Sequence, residues 1–346
     1  MNEMNDKKIA FSIIGTRPQI IKATIIHKRF QKLKNYKHII FDTGQHYDAN
    51  MFKNFINEYQ INPKDIIFLK CENKNKNIFK KKINNKILPY FKKFKPSLCI
   101  VYGDTISTLI AAEIIKKNKI KIAHIESGAR SFDKRMIEEK IRKKVDHISD
   151  LLFCCTKKCK KNLINEKINK NKIFLVGDIL FDIFKKNINK LKIKKSVTKF
   201  NFLTLHRREN LSSKERLESI FKFLINISKF QIIFPAHPHT IQKIKKFNIK
   251  INEKIKIINP INHLKLLNFL YNSKNIFTDS GGVQREAYFL KKPTIVLRDK
   301  IEWVELLKYG KQKQWNSNSK FSKYKKNLLG DGKASKKIIE IILNKT

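Results

Sequence analysis

With 346 residues and 41% hydrophobic content, the sequence is long enough for two domains, each with its own core. A formal net charge of +47 would attract polyanions, but the lysines are spread along the whole chain without a nucleic-acid-binding fingerprint, so no nucleic-acid partner is expected. No apolar run approaches the roughly 18 residues of a membrane span and the start is polar, which predicts a cytoplasmic protein without a membrane partner.

Short apolar runs alternate with longer helical patterns along the chain. "KIAFSIIG" precedes "IIKATIIHKRFQKL", and "SLCIVYG" precedes "TISTLIAAEIIKK" in the same way. Strands that alternate with helices form parallel, doubly wound sheets, so the sequence predicts an α/β fold. The predicted strands cover residues 9–14, 38–41, 98–101, 122–125, 151–154 and 173–176, and then 200–205, 231–234, 255–258, 276–278 and 294–297.

A polar stretch between the two groups of strands predicts a domain boundary. "FKKNINKLKIKKSVTK" has little apolar periodicity and is interpreted as a linker, with the boundary near Lys185. We therefore expect domains over residues 1–185 and 186–332. A terminal helix over residues 333–346 is expected to pack back on the first domain.

Polar residues that can carry chemistry follow many of the predicted strands. Ligands of open α/β sheets bind outside the carboxyl ends of strands. A single acid or histidine there is more often a helix cap or a packed polar residue, so the hypothesis of a site depends on their recurrence. The residues after the strands include Gly15, Thr16, Arg17, Gln45, His46, Asp104, Glu126, Arg130, His206, Arg207, Glu209 and His237.

The stretch "FTDSGGVQREA" predicts an anion site at the start of a helix. Asp279 or Ser280 can cap this helix, while Gly281 and Gly282 leave its first N–H groups open to a phosphate. The alternative is a strand-to-helix turn whose glycines serve only tight packing.

Several motifs are missing from the sequence. It has no G-x-G-x-x-G after a strand, no P-loop and no G-x-S-x-G, so a nicotinamide cofactor, an ATP-type site and a hydrolase elbow lack support. The five cysteines, with "CCTKKC" as their one cluster, and the absence of a zinc-type histidine pair predict reduced thiols and no metal site.

The motifs, taken in order, resemble those of one enzyme family. They are "GTRPQIIK", "TGQHYD", "GDT", "HIESGARSFD", "IEEKIR", "HRREN", "TDSGGVQREA" and "KPTIVLRD". From about Lys8 to the closing "GDGKASKKI", the chain resembles the non-hydrolysing UDP-N-acetylglucosamine 2-epimerases. This resemblance implies two Rossmann-like domains in a GT-B arrangement, a homodimer, and a cleft that closes on a UDP-sugar.

The reaction of that family inverts C2 of the sugar. UDP is eliminated to give a 2-acetamidoglycal, and UDP then adds back while the proton is delivered to the other face. The C2 proton has no adjacent carbonyl, so inversion requires either transient oxidation with a nicotinamide or departure of the anomeric group with a protein base. The missing dinucleotide fingerprint favours the second route and predicts no cofactor.

The resemblance also assigns roles to individual residues. Acid–base roles fall on Asp104, Glu126, Glu138 and His206. Binding of the UDP-sugar falls on Arg17, Lys22, Arg142, His237, Ser280, Gly281, Gly282 and Glu286. A second, activating UDP-sugar is contacted in some members at positions matched by Gln45, His46, Arg207 and Glu209.

Other functions are open on the sequence alone. "GTRPQ", the spacing from "RSFD" to "EE" and "LRDKIEWVE" look more like the branch of the family that acts on UDP-2,3-diacetamido-glucuronic acid. A GT-B glycosyltransferase would share the fold and the nucleotide site, but it would not need the carboxylate set of Asp104, Glu126 and Glu138. A nucleic-acid-binding protein is supported only by charge.

The chain departs from the usual pattern of the family at four positions. Gln19 stands where many members have Glu, Ala129 replaces Leu, Ile137 replaces Pro, and Asp178 replaces the Asn of a Gly-Asn pair. None of these departures removes a residue with an expected acid–base role.

Overall fold

The computed structural model describes residues 7–45, 61–73, 75–188 and 198–346. The chain divides into two compact units, one of Met1–Ile183 with Leu329–Thr346 and one of Phe184–Leu328. Each unit holds one parallel sheet with helices packed against it. The predicted α/β fold with two doubly wound sheets is confirmed.

The first unit is built on seven strands within the described residues. They are β1 (Lys8–Ile14), β2 (Tyr36–Asp42), β3 (Ile66–Phe68), β4 (Leu98–Tyr102), β5 (Lys121–Ser127), β6 (Leu151–Cys154) and β7 (Ile173–Leu175). Their order in the sheet is β3-β2-β1-β4-β5-β6-β7, with parallel pairing throughout. The helices that follow these strands are α1 (Arg17–Phe30), α2 (Lys76–Phe94), α3 (Ile106–Lys117), α4 (Ile137–Ile148), α5 (Lys157–Asn165) and α6 (Ile179–Ile188).

The sequence of β1 explains why its sheet is covered on both faces. Residues 10–14 are all buried and, apart from Ser12, apolar. Ala10 and Ile14 pack with α1 on one face, while Phe11 and Ile13 pack with α2, α3 and α4 on the other. The chain therefore changes face between β1 and β4, and ligands of doubly wound sheets bind at the carboxyl ends next to such a point.

The second unit repeats this plan with six strands in its described residues. They are β8 (Phe200–Thr204), β9 (Gln231–Pro235), β10 (Ile255–Ile258), β11 (Ile276–Thr278), β12 (Thr294–Val296) and β13 (Gln312–Gln314), in the parallel order β10-β9-β8-β11-β12-β13. The helices are α7 (Lys214–Ile227), α8 (Pro238–Lys246), α9 (His263–Asn272), α10 (Gly281–Phe289) and α11 (Val304–Tyr309). Here β8 and β11 are the neighbours that flank the change of face.

Two strands were not predicted from the sequence. β3 and β13 have three residues each and lie at sheet edges. An edge strand of this length carries too little apolar pattern to stand out, and "QKQ" in β13 is polar throughout. Lys185, near which the domain boundary was expected, lies inside α6, and the two units divide between Ile183 and Phe184.

The last helix, α12 (Ala334–Lys345), belongs to the first unit. Its Ile338 and Ile342 are fully buried in the core that contains Ile26 of α1. The carboxylate of Asp182 accepts hydrogen bonds from the N–H groups of Ala334 (3.0 Å) and Ser335 (2.7 Å) at the start of α12. A buried acid thus satisfies two N–H groups that the helix itself leaves without partners.

A buried pair of histidines joins α1 to the first sheet, with His27 on α1 and His38 on β2. The Nδ1 atoms of His27 and His38 are 2.9 Å apart, and Nε2 of His38 is 2.8 Å from Oγ of Ser12. One Nδ1 must donate and the other accept, so the two rings cannot both be protonated. Burial lowers the pKa of His38 well below its ordinary value, and the charge of His27 lowers it further.

We expect the free energy of unfolding to fall as the pH drops below 6.5, the ordinary histidine value. The unfolded chain then binds a proton at His38 that the folded chain excludes, and that contribution to stability is present only above this pH. Urea unfolding at pH 7.5 and 5.5 should show a smaller difference for His38→Gln than for the parent. Burial raises the pKa of Asp42 to about 6 and acts in the opposite direction, but it is common to both proteins. An equal difference in both proteins would contradict the prediction.

Candidate functional site

The carboxyl edge of the first sheet places Asp104 against Arg142. Asp104 follows β4, and Arg142 lies on α4. Nε and Nη2 of Arg142 donate to the same oxygen, Oδ2 of Asp104, at 2.8 and 2.5 Å. Nη1 of Arg142 reaches Oε2 of Glu139 at 3.2 Å. The guanidinium therefore fixes an acid–base candidate in place at the strand end.

Glu126 lies at the end of β5 in an unusual backbone conformation. Its φ of +72° is left-handed, and the pairing of β5 with β6 is irregular between Ile125 and Ser127. A non-glycine residue in this region costs free energy, and such strain is concentrated at functional sites. The bulge turns the side chain of Glu126 to the buried ammonium of Lys22, with which it forms an ion pair.

Gly103 lies against this carboxylate. A Cβ on Gly103 would lie 3.4 Å from Oε2 of Glu126, and Gly103 itself has a φ of +60°. The carboxylate of Glu126 is therefore adjacent to the backbone that leads into Asp104. Two of the predicted acid–base residues share one region of the sheet edge, and each is paired with a cation.

The "IEEKIR" stretch separates two neighbouring acids. Glu138 is half-buried in the first turn of α4, whereas Glu139 is buried. Oε2 of Glu139 accepts from both N (2.8 Å) and Oγ (2.9 Å) of Ser131, and it also pairs with Arg142. Glu139 thus holds the preceding loop and the arginine in place, a positioning role that the sequence analysis did not identify.

Two amide side chains organise the loops after the strands. Gln19 accepts from N of Gly15 (2.8 Å) and donates to O of Tyr102 (2.6 Å). At neutral pH an amide can both accept and donate in this way, whereas an ionised glutamate can only accept. The surroundings therefore suit the Gln at this position, where many family members have Glu. Oε1 of Gln45 accepts from N and Oγ of Ser107 at 2.9 and 2.8 Å.

Two predicted residues cannot be compared with the structure. The side chain of Arg17 lies outside the described part of the chain, and so does His46.

Arg130 belongs to a buried ionic network instead of an open site. Its guanidinium lies 2.7 Å from Oδ2 of Asp146 and 2.8 Å from each oxygen of Glu166. Nδ1 of His124 is 2.7 Å from the other oxygen of Asp146. The side chains of Arg130, Asp146 and His124 are fully buried. Arg130 therefore has a structural role, although its position after a strand had suggested chemistry.

In the second unit, a buried acid organises the loop after β8. Oδ2 of Asp279 accepts from the N–H groups of His206 (2.9 Å) and Arg207 (2.8 Å), and from Nδ2 of Asn210 (3.1 Å). Oδ1 of Asp279 lies 3.3 Å from Nδ1 of His206, whose ring is half-exposed. Asp279 thus fixes the backbone of the loop that carries His206 and lies beside its ring, and the helix cap is Ser280.

Ser280 caps the start of α10, where the sequence predicts an anion site. Oγ of Ser280 accepts from N of Val283 at 3.4 Å. A Cβ on Gly281 would lie 3.1 Å from Nε1 of Trp303, whereas a Cβ on Gly282 would have Oγ of Ser280 as its nearest neighbour, at 3.7 Å. Gly281 therefore packs against the tryptophan, while the position of Gly282 has space outside the helix.

Glu286, on the same helix, is paired with a histidine that the sequence analysis did not single out. Oε1 of Glu286 lies 2.6 Å from Nε2 of His263, and both side chains are buried. His237 caps α8, with Nδ1 accepting from N of His239 at 3.2 Å. Glu209 pairs with the buried Arg298 at 3.0 Å. Each of these predicted binding residues is thus held by a neighbour in its own unit.

Comparison with known proteins identifies the family. A family model described as UDP-N-acetylglucosamine 2-epimerase matches residues 28–343. The chain belongs to the UDP-N-acetylglucosamine 2-epimerase family. A UDP-N-acetylglucosamine 2-epimerase of Methanocaldococcus jannaschii is 39% identical, covering 96% of this chain and 92% of the relative. A UDP-2,3-diacetamido-2,3-dideoxy-D-glucuronate 2-epimerase of Pseudomonas aeruginosa is 38% identical, covering 86% of each.

A solved structure agrees with these relatives in sequence and fold. The crystal structure of the M. jannaschii UDP-GlcNAc 2-epimerase in complex with UDP-GlcNAc and UDP has a TM-score of 0.86 and 37% identity. It covers 97% of this chain and 99% of its own. The resemblance of the motifs to this epimerase family is therefore confirmed. None of the helices in the described ranges combines the length and apolar character of a membrane span.

Proposed function

We propose that this member of the epimerase family inverts C2 of UDP-N-acetylglucosamine to give UDP-N-acetylmannosamine. The observation that carries the proposal is the presence of two carboxylates at one sheet edge. Asp104 is ion-paired with Arg142, and Glu126 is ion-paired with Lys22. Inversion requires groups that take a proton from one face of the sugar and return one to the other, and carboxylates in two different ion-paired environments suit such a division. The UDP-GlcNAc in the related M. jannaschii structure supports this substrate class.

The reaction begins with elimination. A protein base takes the C2 proton while the C1–O bond breaks, and UDP leaves with the electron pair of that bond. A 2-acetamidoglycal remains. The proposed bases are Asp104, Glu126 and Glu138, and His206, which lies beside Asp279, is the fourth proposed proton carrier. Return of UDP to C1, with a proton delivered to the opposite face of C2, completes the inversion.

Departing UDP requires stabilisation of its diphosphate. Ser280, Gly281 and Gly282 place the first N–H groups and the positive end of α10 at the proposed diphosphate site. Glu286, fixed by His263, is the proposed acceptor for the ribose hydroxyls. The further proposed binding groups are Arg17, Lys22, Arg142 and His237.

The relative from P. aeruginosa supports an alternative substrate of the same class, UDP-2,3-diacetamido-glucuronic acid. The chemistry at C2 would be the same. An activating UDP-sugar at Gln45, His46, Arg207 and Glu209, a homodimer and a cytoplasmic location also belong to the proposal, which in these respects depends on the resemblance. Sedimentation of the purified protein measures its oligomeric state.

Proton NMR in D2O tests the proposed reaction. The protein is incubated without NAD with UDP-GlcNAc, and separately with the diacetamido-glucuronic acid derivative. Elimination and re-addition predict deuterium at C2 together with the manno product, and the faster substrate identifies the branch. Retention of the C2 proton in both sugars, with Asp104→Asn indistinguishable from the parent, would overturn the proposal. Sugar transfer or hydrolysis without C2 exchange would instead favour a transferase.

Alanine at Gly282 and at Gly281 should give different results. A methyl group at Gly282 makes only an ordinary contact with Oγ of Ser280 at 3.7 Å but would face the proposed diphosphate. We therefore expect an unchanged melting temperature and a KM raised about 10- to 100-fold, which corresponds to one lost charged hydrogen bond. Gly281→Ala should also lower the melting temperature because Trp303 must shift. Kinetics and thermal melting of both variants check this. An unchanged KM for Gly282→Ala would place the diphosphate elsewhere.

A further inference from the structure

The two carboxylate oxygens of Asp279 have different surroundings in the second unit. Asp279 follows β11, is fully buried and directly precedes Ser280, the cap of α10. Oδ2 accepts from three groups of the loop after β8, the N–H groups of His206 and Arg207 and Nδ2 of Asn210. Oδ1 is also buried, but no hydrogen bond from the described residues reaches it. Buried oxygens of folded proteins are nearly always hydrogen-bonded, so a donor for Oδ1 is expected.

The ring of His206 lies beside this oxygen. Nδ1 of His206 is 3.3 Å from Oδ1, slightly more than the roughly 2.9–3.0 Å of a typical N–H···O bond. The ring is half-exposed, while its own backbone N–H is fixed to Oδ2 of the same carboxylate. A small rotation of the side chain can therefore complete the bond without moving the loop. A neutral imidazole carries one proton, so a bond from Nδ1–H to Oδ1 leaves Nε2 with its lone pair.

The structure of the loop is explained without Oδ1. Nδ2 of Asn210 also donates to O of Leu297 at 2.8 Å, and Oδ1 of Asn210 accepts from Arg216 at 3.2 and 3.3 Å. N of Asp279 donates to O of Thr204 at the end of β8, at 3.3 Å. These bonds and those to Oδ2 hold the loop against the strand end. They give no role to the second oxygen, which lies beside the ring of a proposed proton carrier.

The position of this pair favours the leaving group as its partner in the reaction. β8 and β11 are neighbours in the second sheet, so their carboxyl ends lie at the same edge. His206 follows β8, and α10 begins two residues after Asp279. The histidine thus stands at the sheet edge where the start of α10 is the proposed site of the diphosphate.

We propose that Asp279 is a positioning residue that keeps a proton on Nδ1 of His206, so that Nε2 is the atom that exchanges a proton with departing UDP. The inference rests on the proposed epimerase function. As the C1–O bond breaks, its electron pair stays on the diphosphate oxygen, and Nε2–H of the imidazolium gives its proton to that oxygen. The neutral ring keeps its other proton on Nδ1, directed at Oδ1 of Asp279. When UDP bonds to C1 again, the same oxygen returns the proton to Nε2.

NMR of the protein labelled with 15N-histidine tests the inference, because protonated and bare ring nitrogens resonate at well-separated shifts. His206→Gln identifies the signals of this ring among those of nine histidines. At about pH 9, above the ordinary histidine range, we expect the proton on Nδ1 in the parent and on Nε2 in Asp279→Asn. The asparagine oxygen replaces Oδ2, and its NH2 group then donates to Nδ1. Asp299→Asn, which alters an exposed acid of the same unit paired with Arg216, should leave the tautomer unchanged.

Steady-state kinetics provide a second readout. We expect kcat of Asp279→Asn to fall by about 10²-fold with little change in KM, because the proton then lies on the wrong nitrogen. Loosening of the loop alone would instead raise KM and leave the tautomer as in the parent.

The tautomer of the parent decides the matter even if Asp279→Asn does not fold. A proton on Nε2 in the parent at this pH overturns the inference, and so does an unchanged tautomer in folded Asp279→Asn. A proton on Nδ1 in a protein that epimerises no UDP-sugar would instead refute the proposed function and leave the pair of Asp279 and His206 established.

Discussion

Replacing Asp104 by Asn is expected to lower kcat/KM for C2 epimerisation by about 10²–10⁴-fold, the usual contribution of a positioned acid or base. The substitution keeps the shape of the side chain but removes its capacity to take a proton near neutral pH. It also replaces a charged partner of Arg142, whose Nε and Nη2 both donate to Oδ2. Steady-state kinetics in D2O and H2O, with deuterium incorporation at C2, measure the effect on the proton-transfer step.

Asp150→Asn is the matched control for Asp104→Asn. The side chain of Asp104 is 31% exposed and that of Asp150 is 29% exposed, and each is paired with a cation. Asp150 precedes β6, so it lies at the opposite end of the sheet from Asp104, which follows β4. We expect parent-like kinetics for Asp150→Asn and similar melting temperatures for both variants. Equal losses of activity in the two would show that Asp104 has no special role in proton transfer.

The sheets were largely predictable because parallel strands that are buried on both faces have mainly apolar sequences, which stand out from the polar loops. "KIAFSII" and "LCIVY" are mainly apolar runs, and each is followed by a glycine and polar residues. The polar residues at these ends could be selected because the fold class places ligands there. The short strand β13 could not be predicted, since its pairing with β12 is decided by tertiary structure and not by its side chains.

The partners of the selected residues could not be predicted from the sequence. Glu286 pairs with His263, 23 residues earlier, and Asp104 pairs with Arg142, 38 residues later. Such distances depend on how strands and helices are ordered in the sheet. The left-handed backbone of Glu126 is a similar case. Its φ results from a bulge between β5 and β6, and the sequence "HIES" contains no residue that predicts such a bulge. The sequence selects the candidate reactive groups, and only the fold shows which side chains hold them in place.

Replacing Arg130 by Met is expected to destabilise the protein by about 3–5 kcal/mol, the usual cost of removing one partner from a buried ion pair. Arg130 is fully buried, and its charge faces Asp146 and Glu166. Burial alone would raise the pKa of Asp146, but the hydrogen bond and charge of His124, followed by the charge of Arg130, hold this pKa below its ordinary value. Asp146 is therefore ionised at neutral pH, and without Arg130 much of this charge would be left uncompensated.

Arg135→Met separates this effect from the loss of any arginine in the same loop. Arg135 is 86% exposed and pairs with Asp133 at 2.9 Å, so water can replace its partner and the urea midpoint should stay close to that of the parent. Urea titration measures the free energy of unfolding of each variant. Its decrease relative to the parent should be several-fold larger for Arg130→Met than for Arg135→Met. At acid pH the difference in stability between the parent and Arg130→Met should become smaller. Ionised Asp146 stabilises the fold at pH values above its ordinary titration range, and this contribution is lost as the pH falls. A small loss for Arg130→Met at neutral pH would mean that Asp146 is neutralised by a proton when Arg130 is absent.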